Sequence, residues 1–408
     1  MAVTLASLFR GKRKDEKEAE ADIAYPTGFL TFDYLNGSTV HVKSDDMDFT
    51  YDSVGIIDGS MVYAIGRSGC GKTTLLLQWA GNIIRPFKQS AIYYDNIEGG
   101  VTDSRKFKLL KMDNNYIEDH LIERNTGISA ENLYERVKVI HDLKLENREE
   151  FEYDTGKYDA DGNKIIKFVP TVYILDSLAM LTPEKYTEEE ELSGQMSVTA
   201  AAKMNTTVFK RIIPLLKKAN IIFMVVNHIT EDVKINPYQS SQGQLSYLKP
   251  GERLGGGRAV IYVANLLIRL DDHSKMDEKD GFGINGCLVD VTLLKSRTAS
   301  AGSKVTLVFD YSNGFDPELS LLYFLKQNKL VNGAGAYLYI GDRSDLKFSQ
   351  KKFKQKLRTD LDFRQVVMEA AVAPLRAMLK DNDQTDDSFD SFDLSQDIMS
   401  MMNNKMCA

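Results

Sequence analysis

The chain has 408 residues, 43% apolar and 27% charged, enough for one large α/β domain with a small appendage or for two or three domains. Its three scattered cysteines, Cys70, Cys287 and Cys407, exclude a disulfide framework or cysteine metal cluster and fit a reducing, intracellular setting. No run approaches the ~18 apolar residues of a membrane span, and most of the net charge of −7 lies in residues 381–408, where seven Asp face one Lys.

Residues 1–25 read as a leader, with no signal-peptide core because charge follows the short apolar part at once. Leu5, Leu8 and Phe9 suggest either a solvated segment or a short helix that docks on a neighbouring subunit. The Pro and Gly of Tyr25-Pro26-Thr27-Gly28 mark the expected start of the globular part. From there, short Val/Ile/Leu-rich runs at Met61–Ile65, Ala91–Tyr94, Lys138–Ile140, Val172–Leu175, Ile221–Val226 and Leu266–Leu270 read as buried strands. Helical spacing over Thr74–Ile84 and Thr199–Ala219 separates some of them, which predicts a mainly parallel, doubly wound sheet. Leu288–Leu294 and Lys304–Phe309 are joined by a short loop, so an antiparallel edge is expected.

The stretch F-E-Y-D-T-G-K-Y-D-A-D-G-N-K-I-I-K-F predicts a β-hairpin. Asp159, Asp161 and Asn163 begin a calcium-loop spacing, but the glycine falls early and no Glu closes it, so a tight Asp-Gly turn is expected. The domain reading is a leader (1–25), a large α/β core (26–316), a small C-terminal α+β domain (317–380) broken or kinked at Pro374, and a disordered acidic tail (381–408).

Chemistry concentrates at Gly66-Arg67-Ser68-Gly69-Cys70-Gly71-Lys72-Thr73, followed by Thr74. This is the G-x-x-x-x-G-K-T phosphate loop, set between a strand and a helix. Its glycines turn backbone N–H groups inward at a helix N-terminus, Lys72 is placed for the β- and γ-phosphates, and Thr73 for Mg²⁺. Asp176, after the strand Tyr173-Ile174-Leu175, fits the second Mg²⁺-orienting carboxylate. Glu98, or Asp95, ends the strand after the phosphate-loop helix and is a candidate to activate water. Asn227 or His228 ends another strand and is a candidate γ-phosphate contact.

In their order, G-R-S-G-C-G-K-T-T-L, Y-D-N-I-E, I-L-D-S-L-A-M-L-T-P-E, V-N-H-I and G-G-G-R-A-V-I-Y-V-A-N resemble the strand-exchange recombinases, bacterial RecA and its large-phage relatives of the UvsX type. The similarity runs from about Thr27 to Leu338. It implies a RecA-like core, Mg²⁺-dependent ATP hydrolysis at a subunit interface, and helical filaments on single-stranded DNA in the cytoplasm (of a bacterial host, for a phage protein). Double-stranded DNA would be the second substrate, single-strand-binding or mediator proteins would be partners, and no membrane is involved.

By position, the resemblance makes Glu98 the catalytic glutamate, His228 the γ-phosphate sensor, and Lys295 and Arg297 the basic pair that reaches a neighbour's ATP. Glu184–Met196 and Thr230–Gly257 correspond to the two DNA-binding loops. The expected DNA contacts are Met196, Lys203, Lys210, Arg211, Gly256, Gly257 and Arg258. Two departures stand out: Glu98 lies one residue further from Asp95 than the family spacing, and no aromatic residue near Asp103-Ser104-Arg105 is placed to stack on adenine. The alternative function is a RecA-core hexameric DNA helicase, and an ATP-gated scaffold is a third.

Lys347, Lys351, Lys352, Lys354, Lys356 and Arg358 surround Phe348, Phe353 and Leu357 at helical spacing. This pattern predicts an apolar face that packs and a basic face for duplex DNA, with the acidic tail as its competitor.

Overall fold

The computed structural model describes residues 21–44, 46–110, 114–125, 128–159, 161–181, 184, 194–231, 248–254, 259–278, 282–335 and 337–382. In chain order, β1 (Ala24–Tyr25) and α1 (Leu30–Leu35) lead to a hairpin of β2 (Ser38–Ser44) and β3 (Met47–Ser53), after which β4 (Ile56–Ile57) pairs with β1. Next come β5 (Met61–Gly66), α2 (Lys72–Ile84), β6 (Ile92–Asn96), α3 (Asp103–Leu110), α4 (Asn114–His120) and β7 (Leu121–Arg124). Helix α5 (Ala130–Glu146) and the single turn α6 (Arg148–Phe151) precede a second hairpin, β8 (Glu152–Tyr158) with β9 (Lys164–Phe168), and then β10 (Thr171–Asp176). The core is completed by α7 (Gly194–Lys218), β11 (Ile221–Glu231), β12 (Glu252–Leu254), α8 (Ala259–Val263), β13 (Leu266–Met276), β14 (Gly286–Lys295), β15 (Lys304–Asp310) and β16 (Gly314–Asp316). After it come α9 (Pro317–Gln327), the hairpin of β17 (Val331–Ala334) and β18 (Tyr337–Ile340), α10 (Phe353–Thr359) and α11 (Leu361–Asn382).

Ten strands form one sheet in the order β16-β15-β14-β13-β5-β11-β10-β6-β7, with β12 paired to β11. The strands from β13 to β7 run parallel. β14, β15 and β16 extend the sheet antiparallel, as the helix-free run of strands at that end predicts. β5 and β10 are buried along their whole length, which is why they read as unbroken apolar runs. Side chains alternate between the two faces. Val62 and Ala64 join Leu76, Trp79 and Ile83 of α2 in one core cluster, while Met61, Tyr63 and Ile65 join Val137 of α5 and Phe209 and Ile212 of α7 in another. The result is a mixed α/β fold with helices on both faces of a mainly parallel sheet.

A third cluster, including Leu322, Phe348, Phe353, Phe363 and Val367, takes in Leu288 of β14 and Val308 of β15. The C-terminal elements therefore pack on the antiparallel end of the sheet. Phe348, Phe353 and Leu357 are buried while Lys347, Lys351, Lys352 and Arg358 are exposed, in line with the helical spacing. At the β16 edge, the Gln78 side chain donates to the Phe315 carbonyl at 2.9 Å and accepts the Phe315 N–H at 2.8 Å.

Several elements differ from the sequence expectations. Lys138–Ile140 is not a strand but part of α5. Leu133, Val137 and Ile140 share a helical period and bury one stripe, and the Ser129 hydroxyl caps the helix by accepting the Asn132 N–H at 3.0 Å. α11 runs through Pro374; the break falls at Asp360, which ends α10 and caps the next helix by accepting the Phe363 N–H at 2.9 Å. Ile23, Ala24 and Tyr25, read as leader, are buried, and the Ile23 N–H donates to Asp58 Oδ1 at 2.9 Å. The Asp-Gly turn is present: Asp159 Oδ1 accepts the N–H groups of Asp161 and Asn163 at 3.0 and 2.8 Å. Among the described residues no helix is long and apolar enough to cross a membrane. The acidic tail after Asn382 and most of the two candidate DNA loops lie outside the described residues.

Candidate active site

The phosphate loop links the end of β5 to the start of α2. Gly69 and Gly71 sit at φ +82° and +90°, where an L side chain is strained, and a Cβ on Gly71 would meet the Phe315 ring at 2.8 Å. These two glycines let the chain turn into α2, whose first N–H groups have no partner within the helix. Lys72 is buried and folded back over the loop: its Nζ donates to the carbonyls of Gly66 at 3.0 Å and Arg67 at 2.7 Å. Burial lowers its pKa. A triphosphate would exchange these carbonyls for phosphate oxygens and favour the charged ammonium.

Asp176 ends β10 beside this loop. Its Oδ2 accepts from the Thr73 hydroxyl at 2.7 Å and from the Tyr94 hydroxyl at 3.2 Å, while its buried Oδ1 has no hydrogen-bond partner among the described residues. Burial raises the pKa of Asp176, opposed by the Thr73 hydrogen bond and reinforced by Glu98. A hydroxyl and a carboxylate with one acceptor to spare fit a hydrated Mg²⁺ that also binds phosphate oxygens. Such an ion needs one or two protein groups, not the cluster of three ligating side chains that is absent among the described residues.

The strand β6 separates its two candidate bases by face. Asp95 is buried on the α5 side, paired with the Arg136 guanidinium and the Tyr173 hydroxyl. Glu98 lies on the other side, where Oε1 accepts from the Ser177 hydroxyl and Oε2 is 3.1 Å from His228 Nε2. The one-residue offset is absorbed in a turn over Asp176. The N–H groups of Ile97 and Glu98 both donate to the Asp176 carbonyl, at 2.8 and 3.3 Å, and Gly99 turns at φ +65°.

The same alternation divides Asn227 from His228 at the end of β11. The Asn227 amide donates to the Tyr63 hydroxyl at 2.6 Å on the far face, and His228 faces the phosphate loop. Its Nδ1 lies 3.3 Å from Lys72 Nζ. An ammonium only donates, so Nδ1 accepts and a neutral imidazole carries its proton on Nε2, aimed at Glu98. Lys72, His228 and Glu98 thus form one hydrogen-bonded chain.

The remaining candidates stand apart from this cluster. Lys295 pairs in register with Leu267, and Leu267 with Tyr63, three residues before Gly66 along β5. Lys295 donates to the carbonyls of Ile261 and Tyr262 at 3.2 and 2.8 Å, its pKa lowered by burial and by Arg297, which is exposed. Neither residue joins its own chain's phosphate loop.

Lys203, Lys210 and Arg211 line the exposed face of α7, whereas Lys217 on that face is paired with Asp22 and Asp58. Met196 falls at the start of α7, and Gly256, Gly257 and Arg258 lie outside the described residues. Arg105, near the expected adenine position, donates to the Tyr311 carbonyl at 3.1 Å.

Three residues in and behind the site escaped the sequence reading. Ser177 holds Glu98, Tyr94 holds Asp176, and Arg136 neutralises Asp95. The alternation of Tyr93-Tyr94-Asp95-Asn96 carries the signal for Tyr94; Arg136 has none, because only tertiary packing brings α5 to β6. No family model matches the chain.

Proposed function

We propose that this chain is a DNA-dependent ATPase of the RecA-type recombinases, which forms helical filaments on single-stranded DNA and promotes homologous pairing and strand exchange. The observation that carries the reading is the convergence of Lys72, Thr73, Asp176, Glu98 and His228 at the carboxyl ends of adjacent parallel strands, where open α/β sheets bind ligands. Lys72 and the loop N–H groups hold the phosphates. Thr73 and Asp176 would hold Mg²⁺, which supplies charge neutralisation to the phosphate oxygens when bound.

Glu98 accepts the proton of a water whose oxygen bonds to the γ-phosphorus. The bond from that phosphorus to the bridging oxygen breaks, and ADP leaves with the electron pair. Ser177 fixes one carboxylate oxygen so that the other faces the water. His228 loses its Lys72 contact when Lys72 turns to phosphate, so its imidazole registers the nucleotide.

Two features favour a filament over a self-contained hydrolase. Lys295 and Arg297 lie away from their own phosphate loop, as groups acting on a neighbour's nucleotide must. Lys203, Lys210 and Arg211 present cations along one helix face, suited to a phosphate backbone.

The test is electron microscopy of the protein with ATP, Mg²⁺ and single-stranded DNA. Helical filaments are expected. Six-membered rings would replace this reading with the helicase, and no assembly together with no DNA-stimulated ATP hydrolysis would overturn both.

A further inference from the structure

Asn96 is the last residue of β6 and pairs in parallel register with Asp176. Register partners on adjacent strands point to the same face about 5 Å apart, and Tyr94, two residues earlier on that face, already reaches Asp176. Asn96 is buried, and its Nδ2 donates to Glu123 Oε1 at 3.0 Å. That contact fixes the amide orientation, because an ionised carboxylate only accepts. Glu123 is itself held by buried Lys106, which also pairs with Asp103 at 2.7 Å.

The amide oxygen therefore faces away from Glu123, and this Oδ1 is buried with no hydrogen-bond partner among the described residues. So is Oδ1 of Asp176 on the neighbouring strand. A buried acceptor left unpaired forfeits the hydrogen bonds that water would give it. A Lys-Glu-Asn relay that locks one of them in place, beside a second that belongs to the Mg²⁺ carboxylate, is a feature that the phosphate loop and Glu98 do not use.

We propose that Asn96 is a positioning residue for the divalent cation: with Asp176 Oδ1 it accepts hydrogen bonds from the hydration water of a nucleotide-bound Mg²⁺, held in orientation by Glu123 and Lys106. The proposal rests on the reading of the site as a Mg²⁺–nucleotide site. Water is the right chemistry here, because an amide oxygen and a carboxylate oxygen are both acceptors and each needs a donor. Mg²⁺ keeps several waters when it binds proteins, and those waters are polarised donors.

The test is equilibrium binding of a fluorescent ATP analogue, titrated with Mg²⁺ and compared with binding in EDTA. Asn96→Ala should raise the half-saturating Mg²⁺ concentration about ten-fold, the low end of what loss of an outer-sphere partner costs in metal affinity, and leave the EDTA affinity unchanged. Glu123→Gln should shift it in the same direction by less, since a glutamine can still accept from the Asn96 amide but can also donate, and so releases that amide to flip. It retains the side-chain volume and serves where Asn96→Ala does not fold. An unchanged Mg²⁺ requirement in a folded variant of either kind, whatever the loss in melting temperature, would overturn the proposal and make the relay purely structural. Wild-type protein that binds no nucleotide at all would instead overturn the site reading itself.

Discussion

Two carboxylates three residues apart, Asp95 and Glu98, end in opposite circumstances. Asp95 is enclosed, with a guanidinium and a phenol on its oxygens. Burial pushes its pKa up, and the Tyr173 hydroxyl and Arg136 hold it back. Glu98 stands at the solvent-facing mouth of the sheet and is held by a serine hydroxyl and an imidazole. The first is fully committed to holding α5 on the sheet. The second keeps capacity to exchange a partner for water, and its neighbour Asp176 keeps an oxygen free of protein donors among the described residues. The distinction lies less in residue type than in what the surrounding groups have left undone.

The largest test of that contrast exchanges the roles. Glu98→Gln should cut ATP turnover by about 10²–10⁴-fold, the usual worth of a general base, with nucleotide affinity retained. Asp95→Asn should leave turnover within a few-fold and instead destabilise the fold by about 3 kcal/mol, as when one partner of a buried ion pair is removed. Single-turnover hydrolysis and urea unfolding of both variants decide it. A turnover collapse in Asp95→Asn alone would invert the assignment.

Asp33 sharpens the comparison, because it too has a buried oxygen without a partner among the described residues, far from the phosphate loop in sequence. Thr27 gives its other oxygen an N–H at 2.8 Å and a hydroxyl at 2.6 Å, and burial pushes its pKa up to about 7. The folded state therefore retains a proton that the unfolded chain releases near pH 4. Stability from this group is full below that pH and is lost as pH rises towards 7, by up to about 4 kcal/mol. Asp33→Asn should flatten this decline, read as unfolding free energies at pH 4.5 and 7.5. Equal slopes in the two proteins would show that Asp33 ionises without penalty.

The smallest expected effect concerns the residues that the single chain does not bring to the site. Lys72→Ala and Arg297→Ala should each abolish most hydrolysis alone, yet mixing the two proteins should restore a few per cent to a quarter of wild-type activity, because some interfaces regain both groups. No recovery in mixed assemblies shown to form would place the whole site within one subunit.

The strand–turn–helix geometry of the G-x-x-x-x-G-K-T loop was legible because its pattern is local: glycines, lysine and threonine fall at fixed spacing along one turn. The buried strands were legible because burial on both faces erases polar alternation. Choosing Glu98 over Asp95 and His228 over Asn227 required the face of each strand end, and one extra residue in the turn over Asp176 shifts that parity. β7, a strand of alternating intermediate and exposed residues, takes its identity from pairing with β6, which no local pattern encodes. Lys138–Ile140 misled because three residues are too few to distinguish a period of two from one of 3.6.

The Gln78 clamp on Phe315 has a consequence for how copies of this chain can associate. In an antiparallel ladder alternate residues turn their backbone groups outward, so the three-residue strand β16 offers one outward N–H and one outward C=O, both from Phe315. Gln78 takes both. A side chain thus plays the part of the next strand, and β16 is closed to templated growth. The opposite border, β7, carries an exposed Ile122. A second copy that added a strand along β16 would first have to displace Gln78, so backbone pairing at that position competes with a contact the chain already makes within itself.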